Sequence, residues 1–166
     1  MRLIDFEKVK KVIVKALKEY LGCDVVLTNQ TAPIPKYPYV SFSITTPLVA
    51  NGATWGRCDD GTNRKQIEQI WSITVQSDKM QQSMDLCLKA YDWLDHIGTL
   101  FLNENNIVVS SLTNITNRDN LLSVGYEYKN GFDVTISLMD EIKAEELDEG
   151  SIEEITINNE NGGITE

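Results

Sequence analysis

A chain of 166 residues with 42% hydrophobic and 8% aromatic residues suits one globular domain with a core of its own. No apolar run approaches the ~20 residues that cross a bilayer, and the amino terminus MRLIDFEKVKK threads charges through its apolar positions, so neither a membrane span nor a secretory leader is expected and the cytoplasm is. A net charge of −10, three scattered cysteines (Cys23, Cys58, Cys87) and the single His96 argue against a surface that grips phosphates, a disulfide framework and a zinc site.

Asp5 can cap a first helix reaching Leu21, with Phe6, Val9, Ile13, Ala16, Leu17 and Tyr20 at helical spacing and Gly22 as the stop. Its other face carries Lys8, Lys10, Lys11, Lys15 and Lys18, a solvated surface or a contact for an acidic partner. Residues 25–28 read as a short strand. The following TAPIPKYP holds three prolines and must be extended, either as a stiff lead into the next strand or as a loop kept for a partner. Residues 39–45 alternate as a strand with one buried face.

Residues 47–65 show almost no periodicity and predict a long hairpin loop of roughly 20 residues, leading to a second alternating run at 67–75. Trp55 and Arg57 are types enriched at interface hot spots, although Trp55 could equally fold back on its own loop. The loop glycines lack phosphate-binding spacing. Asp59 and Asp60 could hold a hard metal ion in a small metal-dependent hydrolase, and DDGTN is equally an ordinary turn.

The longest helical pattern starts at Ser77-Asp78 and reaches about Asn103. Met80, Met84, Cys87, Leu88, Tyr91, Leu94, Ile97 and Phe101 form a stripe expected to pack on a sheet. Asp92, Asp95 and His96 lie close together on it, but no nucleophile or second acid accompanies them, so a solvated face accounts for all three. Residues 107–115 then read as a strand, and Asn117-Arg118-Asp119-Asn120 as the turn that reverses the chain into a long strand at 121–139.

Within 121–139, Asn130-Gly131 is a strong hairpin signal. A turn there would put Tyr126 and Tyr128 on the face opposite Val134 and Ile136, whereas an unbroken strand keeps every apolar even position on one face. One strand, bulged at Gly131 if at all, is therefore expected. The segment 143–166 carries eight acidic residues against one lysine, and its SIEEITIN alternates weakly, so it is expected as a tail or arm that could add a strand to a neighbour's edge. Together these elements predict an α+β domain over residues 1–142. It should have a mainly antiparallel mixed sheet, an N-terminal helix and one long helix on one face, and a long hairpin loop.

The proline-rich YPYVSF, the strand QIWSITVQSD, the long helix, and ITNRDNLL followed by YEYKNGFDVTI resemble the neck and tail terminator proteins of long-tailed bacteriophages over residues 31–142. The resemblance implies a structural virion protein, with no catalytic, cofactor or metal residues, that forms a hexameric ring, ends tail-tube growth and joins the tail tube to the head connector. DNA would pass as cargo, and assembly would take place in the bacterial host's cytoplasm. A head-completion adaptor one ring nearer the capsid is the alternative of the same class. A DNA mimic or anti-repressor follows from the acidic tail alone. The residues expected to meet another subunit or partner are Trp55, Arg57, Arg64, Arg118, Asp119, Glu127 and Lys129.

Overall fold

The computed structural model describes residues 4–122 and 125–143. Helix α1 (Phe6–Leu21) begins where the Asp5 carboxylate accepts from the Lys8 amide at 3.0 Å, and it ends at Gly22, whose φ of +69° suits a residue without Cβ. The strands are β1 (Asp24–Leu27), β2 (Tyr39–Val49), β3 (Gly56–Arg57) and β4 (Thr62–Ser77). Next come α2 (Met80–Asp92), a π-helical turn (Trp93–Ile97) and α3 (Thr99–Glu104). The strands β5 (Ile107–Leu112), β6 (Thr116–Asn117), β7 (Asn120–Leu122) and β8 (Gly125–Lys143) complete the described chain.

The sheet runs in the order β1-β2-β4-β8-β5, with β3 added to β4 and β6 and β7 added to β8. Only β1 against β2 is parallel, so the sheet is mixed but mainly antiparallel. Strand parity sets the core. Ile67, Trp71, Ile73 and Val75 of β4 pair across to Leu138, Val134, Phe132 and Asn130 of β8, and this face lies under the helices. Ile13 and Leu17 of α1, Cys87 and Ala90 of α2, and Leu94 and Leu102 beyond it close that layer. Asn130 joins it by donating its amide to the Ser83 hydroxyl at 3.0 Å, while Ser83 donates to the Val75 carbonyl at 3.2 Å. A buried polar group is thereby matched instead of left to desolvation. The opposite face carries Ser41, Ser43, Ser72, Thr74, Asp133 and Thr135, and no helix covers it among the described residues.

The strand through Asn130-Gly131 is unbroken and unbulged against β4, with Thr74 facing Gly131 in constant register. Its beginning differs from expectation. The chain does not reverse at residues 117–120; β5, β6 and β7 all run antiparallel to β8, and the reversal follows Leu122, which faces Gly125. Asn117 and Asp119 use their side chains on nearby backbone, as turn residues do, but here they interrupt an outgoing strand between β6 and β7 without changing its register.

The hairpin loop is shorter than the expected 47–65. Strand β2 continues through Pro47 to Val49 by two register shifts, and β3 pairs with β4, leaving 50–55 and 58–61 as its loops. The long-helix stripe also divides. Cys87 and Leu94 are buried with Ala90 and Trp93, whereas Met80, Met84, Leu88, Ile97 and Phe101 face outward. Their spacing matched the helix period, but the small residues Ser83 and Ala90 let α2 sit close to the sheet along a neighbouring stripe. The helix passes through its π turn and Gly98 into α3, and a Cβ at Gly98 would fall 2.4 Å from the Trp93 ring. The acidic tail expected at 143–166 lies, apart from Lys143, outside the described residues.

Candidate assembly interface

Strand β8 has 19 residues, about 60 Å at strand rise, and so outruns the helical layer. At its amino-terminal end it forms, with β6 and β7, a two-stranded arm. Such a ribbon is marginal by itself, and polar contacts on the open face of the sheet hold this one.

Arg118 makes the largest of these contacts. Its guanidinium crosses β8 and donates from Nη1 to the Ser72 and Thr74 hydroxyls at 2.8 and 2.9 Å, and from Nη2 to Asp133 at 3.2 Å. The crossing requires Gly131, because a Cβ there would lie 2.5 Å from the Ile73 carbonyl oxygen and 2.9 Å from Arg118 Nη1. Next along, the Lys129 amide donates to Asp119 at 2.6 Å and the Arg118 amide donates to the Lys129 carbonyl at 2.7 Å. Beyond that, Glu127 is buried at 7% exposure, accepts from the Tyr37 hydroxyl at 2.8 Å and pairs with Lys129 Nζ at 2.9 Å. Lost hydration and the adjacent Glu127 carboxylate push the Tyr37 phenol up to about 12. Tyr37 stacks on Tyr39 with ring centroids 5.7 Å apart. The proline segment is thus both a lead into β2 and a brace on the arm.

The other side of the arm is apolar and uncovered. Leu121 is 83% exposed at the tip, directly across from the exposed Tyr126, whose ring lies 4.8 Å from that of Tyr128, while Leu122, across from Gly125, is exposed on the braced side. Scattered exposed leucines are ordinary, but here exposed apolar side chains gather at the end of a braced projection.

The opposite end of β8 is charged. Cys58, Asp59, Asp60 and Gly61 make the turn into β4, with Gly61 at φ +78°. Asp60 accepts from the Thr62 hydroxyl and amide, which hold its carboxyl below the ordinary range, and it also pairs with Arg64 at 3.1 Å. Arg64 reaches Glu141 at 2.7 Å. Trp55 and Arg57 sit in this same hairpin, exposed.

Of the seven residues expected at contacts, the structure brings Arg118, Asp119, Glu127 and Lys129 together at the root of the arm. It places Trp55, Arg57 and Arg64 at the charged end. The sequence reading missed Tyr37 as a brace and the Leu121–Leu122 tip. The Gly131 gap was visible only as a turn signal.

Among the described residues no group of three metal-ligating side chains lies together. Burial raises the Cys23 thiol and pushes Cys87 up to about 12, so neither is poised as a thiolate. No helix among the described residues is long and apolar enough to cross a membrane.

A polar-clamped arm with an apolar tip on a small α+β body defines a protein built to contact other proteins. The family model for phage neck terminator proteins matches residues 11–164, so this chain belongs to that family. It is a structural protein of the phage neck, which suggests a non-enzymatic role and a place in the virion among other head and tail proteins. The match takes in most of α1 and the acidic tail, beyond the 31–142 span that carried the resemblance. A search of curated proteins found no match.

Proposed function

We propose that this chain forms a ring, sixfold as the resemblance implies, that caps the tail tube and joins it to the head connector. Residues 1–142 form the ring body and 143–166 an appended arm. The β6–β7–β8 arm meets the neighbouring subunit, with Leu121 and Tyr126 on one side of the tip as the buried contact and Leu122 at its edge. Arg118, Asp119, Glu127 and Lys129 hold the arm in its pose, and Trp55, Arg57 and Arg64 form a second contact at the opposite end. The observation that carries this reading is the exposed tip on a projection fixed by so many polar contacts, since a fixed pose lowers the cost of ordering on binding.

A head-to-tail contact of this kind closes into a ring when its rotation allows. The acidic body also suits a conduit that DNA passes without sticking. The test is light scattering and negative-stain microscopy of wild-type and Leu121→Ser/Tyr126→Ser protein. Wild type should form rings, and the double variant should unfold at the same denaturant concentration yet stay monomeric. Trp55→Ala should weaken assembly to a lesser degree. A wild-type chain that is monomeric at every concentration and binds neither tail-tube nor connector protein would overturn the proposal, as would rings formed normally by the tip variant.

A further inference from the structure

We infer that the acidic segment 145–154 folds back onto α1 of its own chain. It would lay apolar side chains in a groove and its carboxylates along a row of lysines. Three features converge on this. First, Lys8, Lys11, Lys15 and Lys18 follow one another at three-, four- and three-residue spacing, which puts them on one outward face of α1. Lys18 is engaged by Asp24 at 2.8 Å and Lys15 lies 4.0 Å from Glu19, while off the row Lys10 pairs with Glu7. Among the described residues Lys8 and Lys11 have no ion pair.

Second, Lys8 borders a groove of about 200 Å³ where α1 meets the sheet, lined by Ile4, Val9, Val12, Leu138 and Met139 and also by Asp5 and Asn106. The groove continues past Ile4 and Met139 to Arg64 and Glu141. Third, the missing occupant starts there. Met139 and Glu141 are part of β8, whose last residue is Lys143, and the segment that follows reads EELDEGSIEE, six carboxylates around Leu147 and Ile152.

Reach and charge agree. Four residues from Glu141 to Glu145 span at most ~14 Å, and Lys8 to Lys15 along the helix is ~10 Å. The tether therefore delivers the acidic stretch to the row at a high effective concentration. A second copy or a separate acidic protein would have to displace it. This inference is independent of the ring.

The test is zero-length carbodiimide cross-linking of the full chain, using light and heavy isotope forms unfolded and refolded together, read by mass spectrometry. Cross-links are expected from Lys8, Lys11 or Lys15 to acids in 145–154, in light–light and heavy–heavy pairs only. They should fall at least about tenfold at ~0.5 M salt, where screening reaches within ~4 Å. All three lysines are exposed, and circular dichroism checks the fold. In E145Q/E146Q/D148N/E149Q the links to Glu153 and Glu154, whose carboxyls are kept, should fall by the same factor without touching α1. No such cross-links, light–heavy pairs in statistical proportion, or links to Lys79 or Lys89 instead would overturn it. Rings lacking these cross-links would sink this inference alone, and cross-linked monomers would sink only the ring.

Discussion

Strand β8 projects past the last buried apolar pair, Ile67 and Leu138, at one end and past the helices at the other, and the two projections are held differently. At the arm, Glu127 and Lys129 are shielded, Arg118 donates to three side chains, and Gly131 leaves room for it to pass. At the Arg64 end, Asp60 and Arg64 are exposed and Glu141 about a third exposed, so solvent and salt screen their pairs more than they screen Glu127 and Lys129. Similar bond lengths therefore carry different weight. Shielded, multiply bonded charges fix a shape, while exposed ones decorate it. Substitutions at the two ends can break or sharpen that contrast.

The largest effect is expected at Gly131. In Gly131→Val the new side chain meets a backbone carbonyl that cannot rotate away, so β4 and β8 must part or Arg118 must leave; a loss on the order of 3 kcal/mol is expected in urea unfolding. Arg118→Met comes next, leaving Ser72, Thr74 and Asp133 without their shared donor. It should cost about 1–2 kcal/mol, with faster hydrogen exchange in 116–122 than in β4.

Tyr37→Phe should act less and with a pH signature. A phenol whose folded pKa lies near 12, above its ordinary value of about 10, favours folding below the unfolded value and loses that contribution as pH rises through the folded one. The wild-type advantage over Tyr37→Phe should thus hold to about pH 10 and shrink towards 12, and ultraviolet titration of the variant should lack one late phenolate. Least of all, Arg64→Gln should leave the unfolding midpoint indistinguishable from wild type. A shift as large as that of Arg118→Met would erase the contrast.

Much of the architecture was legible from side-chain parity and helix signals. Asp5 and Gly22 bound α1 as their types require, and the even-numbered residues of β8 face the helices. The reversal was misread because residues 117–120 have turn chemistry that here only interrupts a strand, while LLSVG offers Ser123 and Gly125 but no Asn, Asp or Pro. The Met80–Met84 stripe shows how a helical period identifies a helix without saying which of two adjacent stripes faces the sheet. The root of the arm was half legible. Its charged members stand out in the sequence, yet Tyr37 and Glu127 are 90 residues apart and only the fold joins them. Gly131 carried two meanings, turn and gap, and local sequence cannot tell them apart.

The register of the arm also bears on the order in which the chain folds. Strand β8 meets β4 across a large sequence separation, whereas it meets β7 and β6 across a two-residue reversal, so loop-closure entropy favours zippering from the tip before the central sheet closes. The end of the molecule that projects furthest is then the end whose strand pairing costs the least loop-closure entropy.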